Sequence, residues 1–263
     1  MTITIFTSNQ PRHLSLIKEL SKISKTVYAV IEVTTIFPGK IKDFFNNSIV
    51  MNEYFEKVRN SEKKFFGDIT FLPSNVKPII IKSGDLNNLK LNLISEGLHS
   101  DKYIVFGTSY IKSPLVDFLI DKKAYNIHMG VSPYYRGSSC NFWASYNGDF
   151  SLIGSTIHML SKGLDSGPIL FHCLPQYEEN IFDFSMRSVL SAHKGIVEMI
   201  KSKRIDSFEK HPQNKSSEIF YSKKIDFNDK VVSEYLSEIK FQKFNKKNLV
   251  NSDKSIYINP FFY

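Results

Sequence analysis

Two short polar clusters carry residue types that could do chemistry. One is Asn126-Ile127-His128; the other is Asp165 within Gly163-Leu164-Asp165-Ser166-Gly167-Pro168. If residues 124–128 form a strand, Asn126 and His128 project from one face, two residues apart. An amide donor beside an imidazole suits a carbonyl whose oxygen becomes negative under attack. The same pair also suits a polar strand end with His128 bonded to backbone. Glycines on both sides of Asp165 permit a tight acidic loop. Such a loop could bring the carboxylate to His128, fix its tautomer and favour its charged form. An ordinary turn aspartate is the plainer reading of the same residues.

These residues need elements to position them. Residues 3–7 read as an apolar strand, 14–24 as a helix with Pro11 near its start, and 26–33 as a β-branched strand. This β-α-β opening argues for a parallel sheet with right-handed crossovers. After a loop with Pro38 and Gly39, residues 48–66 read as a helix across the surface. Residues 76–81 read as a buried strand, 86–98 as a helix, 103–107 as a strand, 115–120 as a short helix and 124–128 as a strand. Residues 153–160 and 168–174 form an expected hairpin around the acidic loop. Asn180 with Asp183 suggests a variant capping box for a helix running to about residue 202. Ile219 to Ser222 and Ile256 to Tyr263 are expected strands in a Lys-, Asn- and Ser-rich remainder.

Composition narrows the class. The 263 residues are 42% hydrophobic and 23% charged, the balance of a globular chain. The loop after the first strand, TSNQPRH, has no glycine, and no GKS or GKT occurs. Nicotinamide dinucleotides and P-loop nucleotide chemistry are therefore not expected. No apolar stretch approaches a membrane span, and the first residues do not read as a signal peptide. Cys140 and Cys173 suit a reducing compartment, so a cytoplasmic location is expected. His172, His193 and His211 lack zinc spacing, and no metal is expected. Trp143 reads as a core anchor, and Cys140 as an inert small side chain. In an open α/β sheet the site lies beyond the carboxyl ends of the strands, here residues 8–13, 107–112 and 126–137.

In this order, and 37 residues apart, the Asn-x-His and Asp pieces are far more specific than either alone. With Pro133-Tyr134-Tyr135-Arg136-Gly137, Trp143-Ala144, Asn147-Gly148, Gly154-Ser155-Thr156-Ile157-His158 and Asp165-Ser166-Gly167-Pro168-Ile169-Leu170, the chain resembles the folate-dependent formyltransferases, most of all the sugar N-formyltransferases of surface-polysaccharide (O-antigen type) synthesis. The resemblance is firm over residues 100–175 and extends by topology across 1–202. It implies a Rossmann-like, mostly parallel sheet flanked by helices (residues 1–202); the length and pattern of 203–263 suit a small β-containing C-terminal appendage.

The resemblance also implies Asn126, His128 and Asp165 as the catalytic triad and 10-formyltetrahydrofolate as formyl donor, with neither metal nor NAD. Phe106, Gly107, Ser109, Tyr110, Ile111, Leu160 and Gly163 become candidate folate contacts. Asn9, Tyr134, Tyr135, Arg136 and Ser138 become candidate acceptor contacts, although Arg136 suits a loop brace as well as a phosphate. His128 is followed by Met129-Gly130-Val131-Ser132-Pro133 where many relatives read Pro-Ser-Leu-Leu-Pro, an alteration at the rim that bears on the acceptor.

Only 61 residues follow Ser202, short for a linker plus a five-stranded barrel. That favours a nucleotide-linked amino sugar over methionyl-tRNA, and the 40–66 insertion disfavours phosphoribosylglycinamide. The aromatic end Pro260-Phe261-Phe262-Tyr263 suggests a homodimer. The formal net charge is +8. Residues 203–263 hold 12 Lys or Arg against 8 Asp or Glu, and 240–254 hold five lysines, with Phe241 and Phe244 among them. This matches no nucleic-acid module; a basic surface suits an anionic folate and a diphosphate.

Overall fold

The computed structural model describes residues 1–38, 40, 48–237, 244–246, 249 and 253–263. Gly39 and most of the basic stretch 240–254, Phe241 included, lie outside the described residues. The elements are β1 (Thr2–Ser8), α1 (Pro11–Ser21), β2 (Thr26–Val33), α2 (Ile49–Phe66), β3 (Val76–Lys82), β4 (Lys102–Phe106), α3 (Leu115–Asp121), β5 (Tyr125–His128), β6 (Tyr135–Gly137), α4 (Cys140–Asn147), β7 (Ser155–Met159), β8 (Ile169–Leu174), α5 (Ile181–Lys201), β9 (Phe220–Ser222), α6 (Asp229–Leu236) and β10 (Phe261–Phe262).

Eight strands make one sheet in the order β10-β8-β7-β5-β4-β1-β2-β3. All neighbours are parallel except β7, which runs antiparallel to both β5 and β8. The expected mostly parallel α/β sheet is thus present. Strand alternation sorts its residues to two faces. Ile3, Ile5, Ile104, Phe106, Tyr125 and Ile127 pack with Leu16, Ile17 and Leu20 of α1 and with Val189 and Ile196 of α5. Phe6, Val30, Tyr103 and Val105 face the other way, against Leu86, Ile94, Leu115 and Leu119. Fully burying each such aliphatic side chain contributes about 1.5–3 kcal/mol.

Local chemistry sets the helix ends. Pro11 opens α1 without a side-chain cap. Ser48 Oγ accepts from Met51 N–H to start α2. Asn180 accepts from the N–H groups of Phe182 and Asp183 at the start of α5. Only half of the expected capping box forms, because the Asp183 carboxylate is taken by Ser61 Oγ at 2.6 Å and Lys64 Nζ at 2.7 Å of α2.

Three expectations about elements change. Residues 86–98 are not an α-helix but two 3-10 segments, Asp85–Asn88 and Leu91–His99. Asn87 there bonds Tyr110 O and Lys112 N–H rather than a helical ladder. β3 is an edge strand, not a buried one, and Ile80 is 64% exposed. The expected strand 256–263 is reduced to the two-residue β10, which follows a 3-10 turn (Lys254–Ile256) and pairs with β8 of its own chain.

Candidate active site

Asn126 and His128 sit on one face of β5, opposite Tyr125 and Ile127, which enter the core. The antiparallel register puts His158 beside Asn126 and Thr156 beside His128. Four polar side chains of two neighbouring strands therefore share one patch at the carboxyl end of β5. The loop between β7 and β8 folds over this patch and delivers Asp165.

The contacts are close. His128 Nδ1 lies 3.2 Å from Asp165 Oδ2, and His128 Nε2 donates to the Tyr135 carbonyl at 3.0 Å. Asn126 Nδ2 lies 3.2 Å from Asp165 Oδ1 and 2.9 Å from His158 Nε2. His158 Nδ1 donates to the Met159 carbonyl at 2.8 Å, which leaves Nε2 to accept from the Asn126 amide. That acceptor together with a carboxylate fixes which end of the Asn126 amide faces them: the NH2.

Charge follows from this geometry. Burial alone would pull the His128 imidazole down. The Asp165 carboxylate, helped by the Cys140 sulfur, outweighs it and holds His128 well above its ordinary value. Burial pushes Asp165 up, but the His128 charge and the bond from His128 overcome it and hold the carboxyl well below the usual carboxylate range. The pair is an imidazolium–carboxylate at neutral pH, with both ring nitrogens facing acceptors.

Two backbone features support the site. Asp165 has φ +45°, a left-handed conformation costing a non-glycine residue about 1–2 kcal/mol. Gly130 has no room for a side chain: a Cβ there would lie 2.7 Å from His128 Nε2 and 2.6 Å from Cys140 Cβ.

Beside the patch is a cavity of about 660 Å³. Asn126, His128 and Asp165 line it, with all seven candidate folate residues: Phe106, Gly107, Ser109, Tyr110, Ile111, Leu160 and Gly163. Phe106 is 2% exposed, and its ring packs on His13 at 4.7 Å and His193 at 5.5 Å, so its side chain is mainly core. Gly107 has φ +68°, and a Cβ there would stand 2.4 Å from His13 Nε2. Glu32, at the end of β2, accepts from Ser109 N–H at 2.6 Å and Oγ at 2.7 Å and so holds the 107–111 loop.

Of the candidate acceptor contacts, only Ser138 lines the cavity. Asn9 is bonded through its amide to the backbone of Thr34, which does line it. Tyr134 donates to the Ile256 carbonyl, and Tyr135, fully buried, donates to Asp149. Arg136 donates to Glu218 at 2.9 Å and to the Leu164 carbonyl at 2.8 Å, the arrangement of a brace. Trp143 is 5% exposed within an aromatic cluster, as a core anchor should be.

Sequence reasoning missed His158, Glu32 and Lys224 at this cavity. The register that joins His158 to Asn126, and the return of residue 224 to the mouth, are tertiary facts. An acidic residue closing a β-branched strand at Glu32 was the one available signal. Among the described residues no group of three His, Cys, Asp or Glu could hold a metal ion, and no helix is long and apolar enough to cross a membrane.

Residues 105–199 match the model of the family described as formyl transferase. The stretch takes in β5, β7, the Asp165 loop and all three charged or amide groups above. The match covers 95 of the 263 residues, and over them the chain is similar to the formyl transferase family. The chain is 32% identical over 121 residues to the bifunctional polymyxin resistance protein ArnA of Wigglesworthia glossinidia brevipalpis, covering 45% of this chain and 18% of that protein. The chain thus spans under a fifth of that relative's length. Among solved structures, a 4-N formyltransferase from Francisella tularensis superposes with a TM-score of 0.52 at 20% identity, over 85% of this chain and 77% of that one. An N-formyltransferase from Helicobacter canadensis, in complex with folinic acid and dTDP-3-aminofucose, superposes with a TM-score of 0.50 at 12% identity, over 89% and 79%. At these identities the likeness is one of fold.

Proposed function

We propose that the chain is an N-formyltransferase that moves the formyl group of 10-formyltetrahydrofolate to the primary amine of a nucleotide-linked amino-deoxy sugar. The observation that carries the reading is the His128–Asp165 pair, a buried imidazolium beside an amide donor at the wall of a large cavity. The 107–111 and 160–163 loops offer a flat, partly apolar recess with Tyr110 half open to solvent, which suits a pterin. A folate ligand and a nucleotide-linked amino sugar are both named for the Helicobacter canadensis protein.

The bound donor supplies an electrophilic formyl carbon. The His128 charge, and Asn126 Nδ2 once one of its hydrogens turns from Asp165 or His158 to the substrate, stabilise the negative oxygen that forms when the amine nitrogen bonds to that carbon; a donor of this kind typically contributes about 3–4 kcal/mol. Asp165 keeps His128 charged and oriented. As the carbon–nitrogen bond to the folate breaks, the amine loses one proton and the folate nitrogen gains one, giving a formamide and tetrahydrofolate. Ser138 and Lys224 flank the acceptor side, and Lys224 brings a positive charge to the cavity lining, suited to a diphosphate. Residues 1–202 would form the catalytic unit, 203–263 would complete it, and the enzyme would work as a homodimer, which light scattering tests.

The test is a panel of UDP- and dTDP-linked 3-amino and 4-amino sugars, with methionyl-tRNA and phosphoribosylglycinamide as competitors, each incubated with 10-formyltetrahydrofolate. Gain of one formyl group by a nucleotide sugar supports the reading. Formylation of either competitor alone overturns the acceptor assignment, and no formylation of any overturns the activity.

A further inference from the structure

The loop that presents Asp165 does not hold itself. Its internal side-chain bonds join Ser161 to Gly163 and Ser166. The carbonyls around Asp165 are served from outside. Gln213 Nε2 donates to the Asp165 carbonyl and to the Gly167 carbonyl, each at 2.8 Å. Two carbonyls can be served only by an NH2, so the orientation of the amide is fixed. Arg136 adds the Leu164 carbonyl and is itself held by Glu218.

Gln213 is presented rigidly. Two residues before it, His211 exchanges both backbone hydrogen bonds with Ile169, the first residue of β8. The segment after α5 is thereby registered against the end of the loop. Gln213 Oε1 is buried with no partner among the described residues. A stranded acceptor is a cost that a merely space-filling residue would not carry. Gly167 shows how tight the loop is, since a Cβ there would lie 1.7 Å from the Met159 carbonyl.

We propose that Gln213 is a positioning residue for formyl transfer: its carboxamide fixes the backbone on both sides of Asp165 and so holds the carboxylate on His128 and Asn126. The role rests on the formyl-transfer reading above. Gln213 does not line the cavity. Its effect passes through Asp165, which sits in a left-handed conformation that the loop would abandon if released.

The test uses the full chain with Gln213→Met, which keeps length and volume and removes both donors, and Gln213→Glu, which keeps the shape. One readout is the His128 imidazole titration by nitrogen-15 NMR. The others are kcat, KM for each substrate and the melting temperature. The expected result is a His128 titration moved down by about one unit or more. With it, kcat falls about 10- to 100-fold while both KM values stay within about twofold. A His128 titration and kcat equal to wild type in either folded variant overturn the proposal; if Gln213→Met does not fold, Gln213→Glu decides. The titration needs no turnover. If the wild-type chain transfers no formyl group, the functional reading fails, and the titration still decides whether Gln213 holds Asp165.

Discussion

Asp165→Asn removes one charge and almost no volume, which isolates the electrostatic work of the His128–Asp165 pair. The two groups are 3.2 Å apart, with side chains 5% and 12% exposed, so solvent screens little. At an effective dielectric of about 20, a unit pair at that distance is worth roughly 5 kcal/mol, equivalent to more than three pH units on the histidine. Without it, burial, which lowers His128, is opposed by the Cys140 sulfur and no longer by a carboxylate. The imidazole should then titrate below its ordinary 6.5 and be neutral at pH 7. A neutral ring stabilises the oxyanion far less, so kcat should drop about 10²–10⁴-fold. The sign is open to check. In the wild type, any loss of activity from His128 deprotonation falls above pH 6.5; in Asp165→Asn it moves below. The assay is kcat against pH, with the His128 titration read by NMR. A variant that keeps kcat within tenfold, or whose His128 still titrates above 6.5, refutes the reasoning.

Three further predictions follow from the same geometry. His158→Ala takes away the acceptor that orients the Asn126 amide; kcat should fall about 10- to 100-fold with little change in KM, the pattern of an interaction made in the transition state. Gly107→Ala forces a side chain onto a backbone at φ +68° and onto His13; denaturant unfolding should show a loss of about 2–5 kcal/mol. Burial pushes His13 well below 6.5, His172 down to about 4 and His193 down to about 3. The unfolded chain therefore takes up protons that the folded one refuses, and stability present above pH 6.5 is lost as pH falls below it. From pH 6.5 to 5, unfolding experiments should lose about 2 kcal/mol for each such histidine, and His193→Phe should remove one share of that loss.

Most of the sheet, and the residues that bring Asn126, His128 and Asp165 together, were legible because they are written locally. β-Branched runs such as residues 26–33 can do little but form strands. Asn126 and His128 sit at the two-residue spacing that fixes a shared face, and Asp165 lies between glycines that permit its turn. What could not be read depends on register and return. His158 gains meaning only when β7 pairs antiparallel with β5 and sets it against Asn126. Glu32, Gln213 and Lys224 reach the site from elements 77, 48 and about 60 residues away from the loops they serve, separations that carry no periodic signal. Tyr134 and Tyr135 illustrate the converse. Aromatic residues beside a catalytic motif look like substrate contacts in a one-dimensional reading, yet their hydroxyls are bonded to Ile256 and Asp149 within the fold. The 86–98 stretch had a helical apolar period, but Asn87 side-chain bonds to the 110–112 backbone compete with an α-helical ladder.

The central claim is that this site transfers a formyl group between a folate and a sugar amine. The most direct measurement is carbon-13 NMR of the chain with 10-formyltetrahydrofolate labelled at the formyl carbon and a nucleotide-linked amino sugar. The account predicts that the label leaves the folate resonance and appears as a formamide on the sugar with wild-type protein, and stays on the folate with His128→Ala. Label that stays on the folate with wild-type protein for every amino sugar offered, or that moves equally well with His128→Ala, would contradict it.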